Sequence, residues 1–379
     1  MTVWKTYRLG EICDYVTSRT ANIENYISTE NMLPNKGGVY TPSNAPNGTA
    51  VEYKVGDVLV SNIRPYFQKI WRADRNGACS ADVLCIRANN KADSKYLYYL
   101  LSQQLFFDYV MAGAKGCKMP RGDKKQIMQW QISLPPLEEQ RRIAGILGAI
   151  DDKIENNRRI NSNLELQAQA LYKQWFVDNR KDDWKEKPLS EIVFFQEGPG
   201  IRNWQYVEKK GVRFINIRCI NDGDVNVQNA NMISEDEACG KYAHFLLEPL
   251  DIVMSCSGTL GKYAIIRQEH LPLCLNTSVI RFRPAQCIED YSFVYGYLSS
   301  AEFLNKQEEM ACGSVQANFG PTHLKQIKIQ VPPKDYRTKY NNVVMPIITA
   351  MLKNRTEMNM LSSLRDTLLP KLMNGEIKL

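Results

Sequence analysis

The sequence predicts an α+β fold, with two pseudo-repeated α/β domains separated by two long helices that pair as an antiparallel coiled coil. Three observations lead there. The two halves of the 379-residue chain align on one another in order. Each half closes on a double proline, Pro135-Pro136 and Pro332-Pro333. Each double proline is then followed by a long stretch whose apolar residues recur in steps of four and three, the spacing of a helical seam. The length exceeds one ordinary domain, and 44% hydrophobic with 23% charged residues is a globular rather than a disordered composition.

The repeat is traced by its offsets. Trp4, Leu9, Glu11 and Ile12 fall on Trp184, Leu189, Glu191 and Ile192, an offset of 180. Gly56-Asp57-Val58-Leu59-Val60-Ser61 falls on Leu250-Asp251-Ile252-Val253-Met254-Ser255 at 194, so the second half carries insertions. From there the offset settles at 197, matching Leu101-Ser102 with Leu298-Ser299, Phe106 with Phe303, Gly116 with Gly313, and Leu134-Pro135-Pro136 with Val331-Pro332-Pro333. Strands are expected at 57–63 and 82–87, and again at 214–220, 251–254 and 278–283, where Val, Ile and Phe runs lie between Gly, Asn and Pro turns. Helices are expected near 95–109 and 291–309, each followed by a polar, glycine-bearing loop at 112–123 and 311–321. The double prolines end each globular unit because proline continues neither a ladder nor a helix interior.

In the first long stretch the seam reads Ile143, Leu147, Ile150, Ile154, Asn157, Asn161, Leu164, Ala168, Leu171 and Trp175. At the same offset of 197 the second reads Tyr340, Val344, Ile347, Met351, Asn354, Met358, Leu361, Arg365, Leu368 and Leu372. Two matched seams bury each other as an intramolecular coiled coil. The central Asn157, Asn161 and Asn354 either fix its register or face water. The expected boundaries are 1–136 for the first domain, 137–182 for the first long helix, 183–334 for the second domain and 335–379 for the second helix. Antiparallel helices of about 35 residues, roughly 50 Å at 1.5 Å per residue, would act as a ruler with one globule at each end.

Charge and composition bound the chemistry. A net charge of +7 is compatible with a polyanionic partner, but no dense Lys/Arg tail is present. The ten cysteines are scattered without a C-x-x-C pair and read as reduced, buried thiols. His244, His270 and His323 are the three histidines, none at metal-ligand spacing from another, so no metal site is expected. No apolar leader follows Met1, and no run of 18 apolar residues offers a membrane span. A cytoplasmic protein is expected.

At the first double proline, Leu134-Pro135-Pro136-Leu137-Glu138-Glu139-Gln140-Arg141-Arg142-Ile143-Ala144-Gly145-Ile146-Leu147, followed by Ile150-Asp151 and Ile154, resembles the first helical region of type I restriction–modification specificity subunits. The run from Leu361 to Ile377, with Leu368-Leu369-Pro370-Lys371-Leu372, looks like the ending of the family's second helical region. The 56–61 run and the Gly258-Thr259-Leu260-Gly261-Lys262 loop also look like family elements, and the resemblance covers the whole chain. It implies that each globule is a target-recognition domain reading one half of a bipartite, asymmetric site in double-stranded DNA. It implies that the helices dock modification subunits, two in number, which hold S-adenosylmethionine and methylate adenine, and that restriction subunits join them. The chain departs from the pattern at the second double proline, where Lys334-Asp335-Tyr336-Arg337 replaces Leu-Glu-Glu-Gln. The two helix starts are therefore expected to meet partners unequally.

No catalytic site is expected in the chain itself, nor a cofactor of its own. The Pro-Pro pairs follow Leu and Val, not the Asn or Asp whose side chain would hold a target amino group. Gly258 to Lys262 is too short for a phosphate-cradling loop and ends in Tyr263. No constellation of acids and lysine suggests a nuclease. An enzyme fused to a recognition region and a purely protein-binding coiled-coil scaffold are the alternatives. The candidate DNA contacts lie in basic and polar loops. Lys118, Arg121, Lys124 and Lys125 surround Gly122, and Arg64, Tyr66 and Lys69 form a basic–aromatic cluster. In the second half, Arg202 follows a stiff Gly-Pro-Gly turn, Lys262 ends the glycine loop, and Gln316, Asn318 and Lys325 occupy the polar loop. Gln and Asn can pair bidentately with adenine, and Arg with guanine. Singly, each of these reads first as a solvated surface residue; as groups, the loops read as DNA contacts.

Overall fold

The structure, a computed structural model, describes residues 4–40, 47–116, 118–221, 223–311 and 318–379. It resolves into two compact units, Met1–Glu155 with Asn359–Leu379, and Asn156–Met358. Each long helix thus lends one part of its length to each unit.

The first unit is built on an antiparallel sheet in the order Cys13–Tyr15, Val83–Ala88, Val58–Ser61, Ile70–Arg72. Its two central strands are near-continuous apolar runs because both faces are covered. Alternation decides which face each residue serves. Val58, Val60, Leu84 and Ile86 pack on the helices Ser94–Leu101 and Gln104–Ala112 and on Ile143, Leu147, Leu369 and Leu372 of the long helices. Leu59, Val83 and Cys85 face the other way, toward Tyr53 and Cys79 of a small sheet made by Arg19–Thr20, Ala50–Tyr53 and Gly77–Cys79. Lys5–Arg8 pairs with Gln131–Leu134, joining the start of the domain to the strand before its double proline.

The second unit repeats this plan. Val193–Glu197, Val279–Pro284, Ile252–Ser255 and Tyr263–Ile265 form a sheet of the same order and sense, and Lys185–Pro188 pairs with Lys328–Val331. The change of offset is located in the smaller sheet. It has four strands here, Tyr206–Val207, Asn231–Ser234, Gly211–Ile215 and Leu273–Leu275, the last pair parallel.

One ion pair with a buried carboxylate is duplicated. Asp57, 2% exposed, accepts from Arg87 Nε at 2.7 Å and Nη2 at 2.6 Å, and from the Lys54 amide at 2.7 Å. Asp251 does the same with Arg283, at 2.7 and 2.8 Å, and with the Glu248 amide at 2.8 Å. The matched Asp in the 56–61 and 250–255 runs thus closes a turn and fixes the sheet's last central strand.

The helix expected at 95–109 is broken in two. Ser102 Oγ donates to the Tyr98 carbonyl at 2.7 Å and Gln103 is extended. The helix expected at 291–309 breaks at the matching place, with Ser299 Oγ donating to Tyr295 at 2.9 Å and Ser300 Oγ to Tyr297 at 2.7 Å. Serine hydroxyls compete for helical carbonyls, which the apolar spacing alone does not reveal.

The long helices are Leu137–Tyr172, continued by a π-helical turn at Lys173–Asp178, and Lys334–Met373. Every expected seam position is buried or half-buried. Pairing is antiparallel within each unit. In the first, Arg365 Nη1 meets Asp151 Oδ1 at 2.8 Å. In the second, Asn157 lies opposite Glu357, Asn161 opposite Asn354, and Tyr172 opposite Tyr340. The π turn rotates Phe176 into an aromatic cluster with Trp184, Phe293 and Tyr340.

Both helices start on the same clamp. Gln140 Nε2 donates to the Pro135 and Lys91 carbonyls at 2.9 and 3.0 Å, and its Oε1 accepts from the Asp93 amide at 2.9 Å. Arg337 Nη1 donates to the Pro332 carbonyl at 2.7 Å, and its Nε and Nη2 reach Asp290 at 2.7 and 3.2 Å. The departure at position 337 is therefore an inward exchange of one buried clamp for another.

Candidate nucleic-acid interface

In the first unit the strands Val58–Ser61 and Ile70–Arg72 are joined by a hairpin whose ends meet through the Ser61 amide and the Lys69 carbonyl, 3.0 Å apart. Arg64 and Gln68 both adopt positive φ, 49° and 51°, on either side of the Pro65–Phe67 turn. Such conformations cost of order 1–3 kcal/mol each for side-chain-bearing residues and persist only when surroundings enforce them. Here the Arg64 amide donates to the Pro120 carbonyl at 2.8 Å, and the Asn35 and Lys36 amides donate to Phe67 and Gln68 at 2.8 and 3.0 Å. The outcome is a rigid tip. Tyr66 and Phe67 stand 48% and 38% exposed with ring centroids 4.6 Å apart. Lys69 lies 5.9 Å from the Phe67 ring centre and donates to the Thr29 carbonyl at 2.7 Å, while burial pulls its pKa below the ordinary lysine value.

The basic loop that sequence separates from this hairpin by about fifty residues is joined to it. Ile63 pairs with Arg121, Arg121 exchanges both backbone hydrogen bonds with Lys115 at 2.9 and 3.0 Å, and the Gly122 amide donates to Asn62 at 3.3 Å. A Cβ on Gly122 would come within 2.9 Å of Asn62 Oδ1 on the hairpin and 2.7 Å of Val110 on the helix behind, so glycine lets the loop approach. The Arg121 guanidinium is more than half exposed and lies 3.2 Å from Asp82. Lys118, Lys124 and Lys125 are exposed. Lys124 and Lys125 open the short helix Lys124–Ile127, capped by Asp123, whose carboxyl is held below the usual range by the Gln126 amide and Lys115.

In the second unit the same backbone arrangement recurs. The Ser255 amide donates to the Lys262 carbonyl at 2.8 Å, Ser257 pairs with Asn318, and the Phe319 amide donates to Cys256 at 2.8 Å. Lys262 therefore stands where Lys69 does, and Asn318 where Arg121 does. Gly258 and Gly261, at φ 71° and 76°, take the left-handed positions that Arg64 and Gln68 take in the first hairpin. Lys262, Asn318, Lys325 and Arg202 are exposed, and Lys325 ends the short helix Pro321–Leu324. Gln316 lies outside the described residues.

Sequence reasoning missed three side chains here. Trp204 is 80% exposed, two residues past Arg202. Arg218 is exposed on the turn Ile217–Cys219, beside the glycine hairpin. Asp82 faces Arg121. The Gly-Pro-Gly turn was the available signal for Trp204, but an aromatic in sequence reads first as core. Nearby, Cys256 is buried, which pushes its thiol up to about 12 and leaves it unreactive at neutral pH. Among the described residues no group of His, Cys, Asp and Glu side chains is placed to hold a metal ion.

Of the seam asparagines, Asn161 and Asn354 face each other and Asn157 faces Glu357. Asn354 Nδ2 donates to Asn161 Oδ1 at 2.9 Å, Asn161 Nδ2 donates to the Met351 carbonyl at 3.0 Å, and Asn157 Nδ2 donates to Glu357 at 2.7 Å.

Residues 1–166 and 181–355 both match the family described as type I restriction modification DNA specificity domain. The specificity subunit of the type I restriction enzyme MjaIX from Methanocaldococcus jannaschii is 26% identical over 304 residues, 75% of this chain and 69% of that one. The HindI specificity subunit of Haemophilus influenzae is 24% identical over an alignment of 470 positions that covers the whole of both chains. The crystal structure of a type I restriction–modification S subunit from M. genitalium shares the fold, with a TM-score of 0.59 at 18% identity over 98% of this chain and 96% of that one.

Proposed function

The chain belongs to the type I restriction modification DNA specificity domain family as a specificity subunit, and we propose that it reads a bipartite, asymmetric site in duplex DNA while docking the modification subunits that methylate it. Each domain takes one half of the site. The observation that carries this is the duplicated pairing of a hairpin with a second loop, which brings Arg64, Tyr66, Lys69, Arg121 and their neighbours to one surface in the first unit. It brings Lys262 and Asn318 to the corresponding surface in the second. Cations neutralise phosphate, and Arg and Asn offer the forked donors and acceptors that distinguish guanine and adenine. The two surfaces differ in side chains, so the two half-sites differ in sequence.

In this reading the chain is non-catalytic and binds no cofactor. Two modification subunits supply the methyl donor, and restriction subunits complete the assembly. The protein works in the cytoplasm; among the described residues no helix is long and apolar enough to cross a membrane. Asn157, Asn161 and Asn354 hold the register of the helix pair, since a polar layer bonded to itself disfavours a slipped seam. Gln316 belongs with Asn318 by its place in the sequence.

Co-expression with modification subunits, followed by mapping of methylated adenines across random DNA, tests the proposal. The expected result is methylation within one split, asymmetric motif, of which one half changes when residues 1–136 are exchanged for those of a relative. An unchanged motif would assign specificity to the partner.

A further inference from the structure

Trp204 is the most exposed large apolar side chain among the described residues, and its exposure is enforced by its neighbours. It sits at the centre of the turn Asn203–Gln205. On one side Gln205, 8% exposed, accepts from the Arg202 amide at 3.0 Å and donates to Glu237 at 2.8 Å and to the Tyr242 hydroxyl at 3.2 Å. On the other side Ile201 packs on the cluster of Val212, Phe214, Ile233 and Tyr242. With both flanks drawn inward the indole has only the outward direction left.

The turn is continuous with the candidate interface of the second unit. The chain enters it through Gly198, where a Cβ would lie 2.5 Å from the Asn276 amide, and Gly200, which faces Thr277. Asn276 and Thr277 precede Ser278, whose carbonyl holds the Cys256 amide at the base of the Lys262 hairpin, and Gly320, two residues past Asn318, approaches Glu197. Arg202, two residues before Trp204, is exposed, as are Lys209, Lys210 and Arg213 in the segment that follows; the exposed acids are Glu208 and, on the helix whose Glu237 accepts from Gln205, Glu235 and Asp236. An indole and a guanidinium on one turn offer an apolar contact for base edges in a groove and a cation for phosphate. The first unit reaches the same chemistry on a different loop, with Tyr66 and Phe67 beside Lys69.

We propose that Trp204 is a specificity-determining DNA contact of the second domain, laying its indole against base edges of the second half-site while Arg202 neutralises an adjacent phosphate. The inference rests on the DNA-reading function proposed above.

The test uses the full chain in complex with its modification subunits. Binding is measured to the motif mapped for the wild type and to duplexes altered in one half-site at a time. For W204A the expected result is normal assembly, unchanged discrimination at the first half-site and a loss of about tenfold or more at the second. W204F should retain part of it, and R202A should weaken all duplexes with a shallower salt dependence. Circular dichroism of each free chain checks folding. Unchanged second-site discrimination by a folded W204A overturns the inference while leaving the DNA-reading function intact. Failure of folded W204A to assemble makes the turn a protein-docking surface and overturns it equally. A wild-type complex that forms yet methylates no split motif removes the underlying function and this inference together.

Discussion

Arg121 and Asn318 occupy the same backbone position in the two units, yet one carries charge and the other does not. The difference separates their expected contributions. Removing a cation from a phosphate contact lowers the salt dependence of binding by about one in the log–log slope, whereas removing a neutral base contact lowers affinity without changing it. Arg121→Ala in the assembled complex should therefore weaken the cognate duplex by several-fold to about tenfold and flatten its salt titration. Asn318→Ala should weaken it with the slope preserved, and equal slopes for both variants would remove the charge argument. A second residue-level consequence concerns acid stability. Burial alone would raise the Asp224 carboxyl, but the His270 ring, with Nε2 3.4 Å away, and hydrogen bonds from Arg267, whose Nη1 lies 2.8 Å away, hold it well below the usual carboxylate range. A carboxyl with a depressed folded-state pKa stabilises the protein above its unfolded pKa, near 4, and that contribution fades as pH falls below it. Asp224→Asn should thus destabilise at neutral pH and give a flatter loss of stability below about pH 4, read from denaturant melts across the acid range.

At the scale of elements, the clamps under the two long helices share a geometry but not a chemistry, and they should respond unequally to mutation. Arg337 and Asp290 are both buried, with side chains 9% and 3% exposed. Asp290→Ala leaves a guanidinium buried without its counter-ion, a loss of about 3–5 kcal/mol by the behaviour of broken buried pairs. Gln140→Ala loses neutral hydrogen bonds and should cost about 1–3 kcal/mol. Urea unfolding of both variants decides the order. The seam gives a parallel test: Asn161→Leu strands the Asn354 amide and should cost about 1–3 kcal/mol, while Asn161→Leu with Asn354→Leu should recover most of that. These elements show what the sequence makes legible. The seams, the double prolines and the repeated strands were readable because burial imposes a period on residue type. The split at Ser102 and Ser299 and the π turn at Lys173–Asp178 were not, since they depend on where a hydroxyl or an aromatic ring finds a partner. The same holds for the candidate site. Arg64 and Lys69 were recognisable as part of a basic–aromatic cluster and Arg121 as a cation in a glycine-bearing loop, but their meeting depends on the Ile63–Arg121 pairing across the fold, and Trp204 is indistinguishable in sequence from a core residue.

For the molecule as a whole, duplication of fold without duplication of charge is the governing fact. The net charge is +7, and the first candidate surface gathers Arg64, Lys69, Lys118, Arg121, Lys124 and Lys125. The second gathers Arg202, Arg218, Lys262 and Lys325 with the neutral Asn318. Phosphate contacts position a reader on the duplex and base contacts specify the sequence, so the first domain should carry more of the non-specific hold and the second more of its affinity through uncharged contacts. The triple variant Lys118→Ala/Lys124→Ala/Lys125→Ala should lower the slope of log affinity against log salt by about 2–3, at roughly 0.9 per phosphate released, and weaken non-cognate DNA as much as cognate. Lys325→Ala in the second domain should lower the slope by at most about 1. Binding isotherms of the assembled complex across a salt series provide the measurement. A slope that falls equally for both variants would mean that the two domains grip the backbone alike and that the asymmetry of the loops serves base recognition alone.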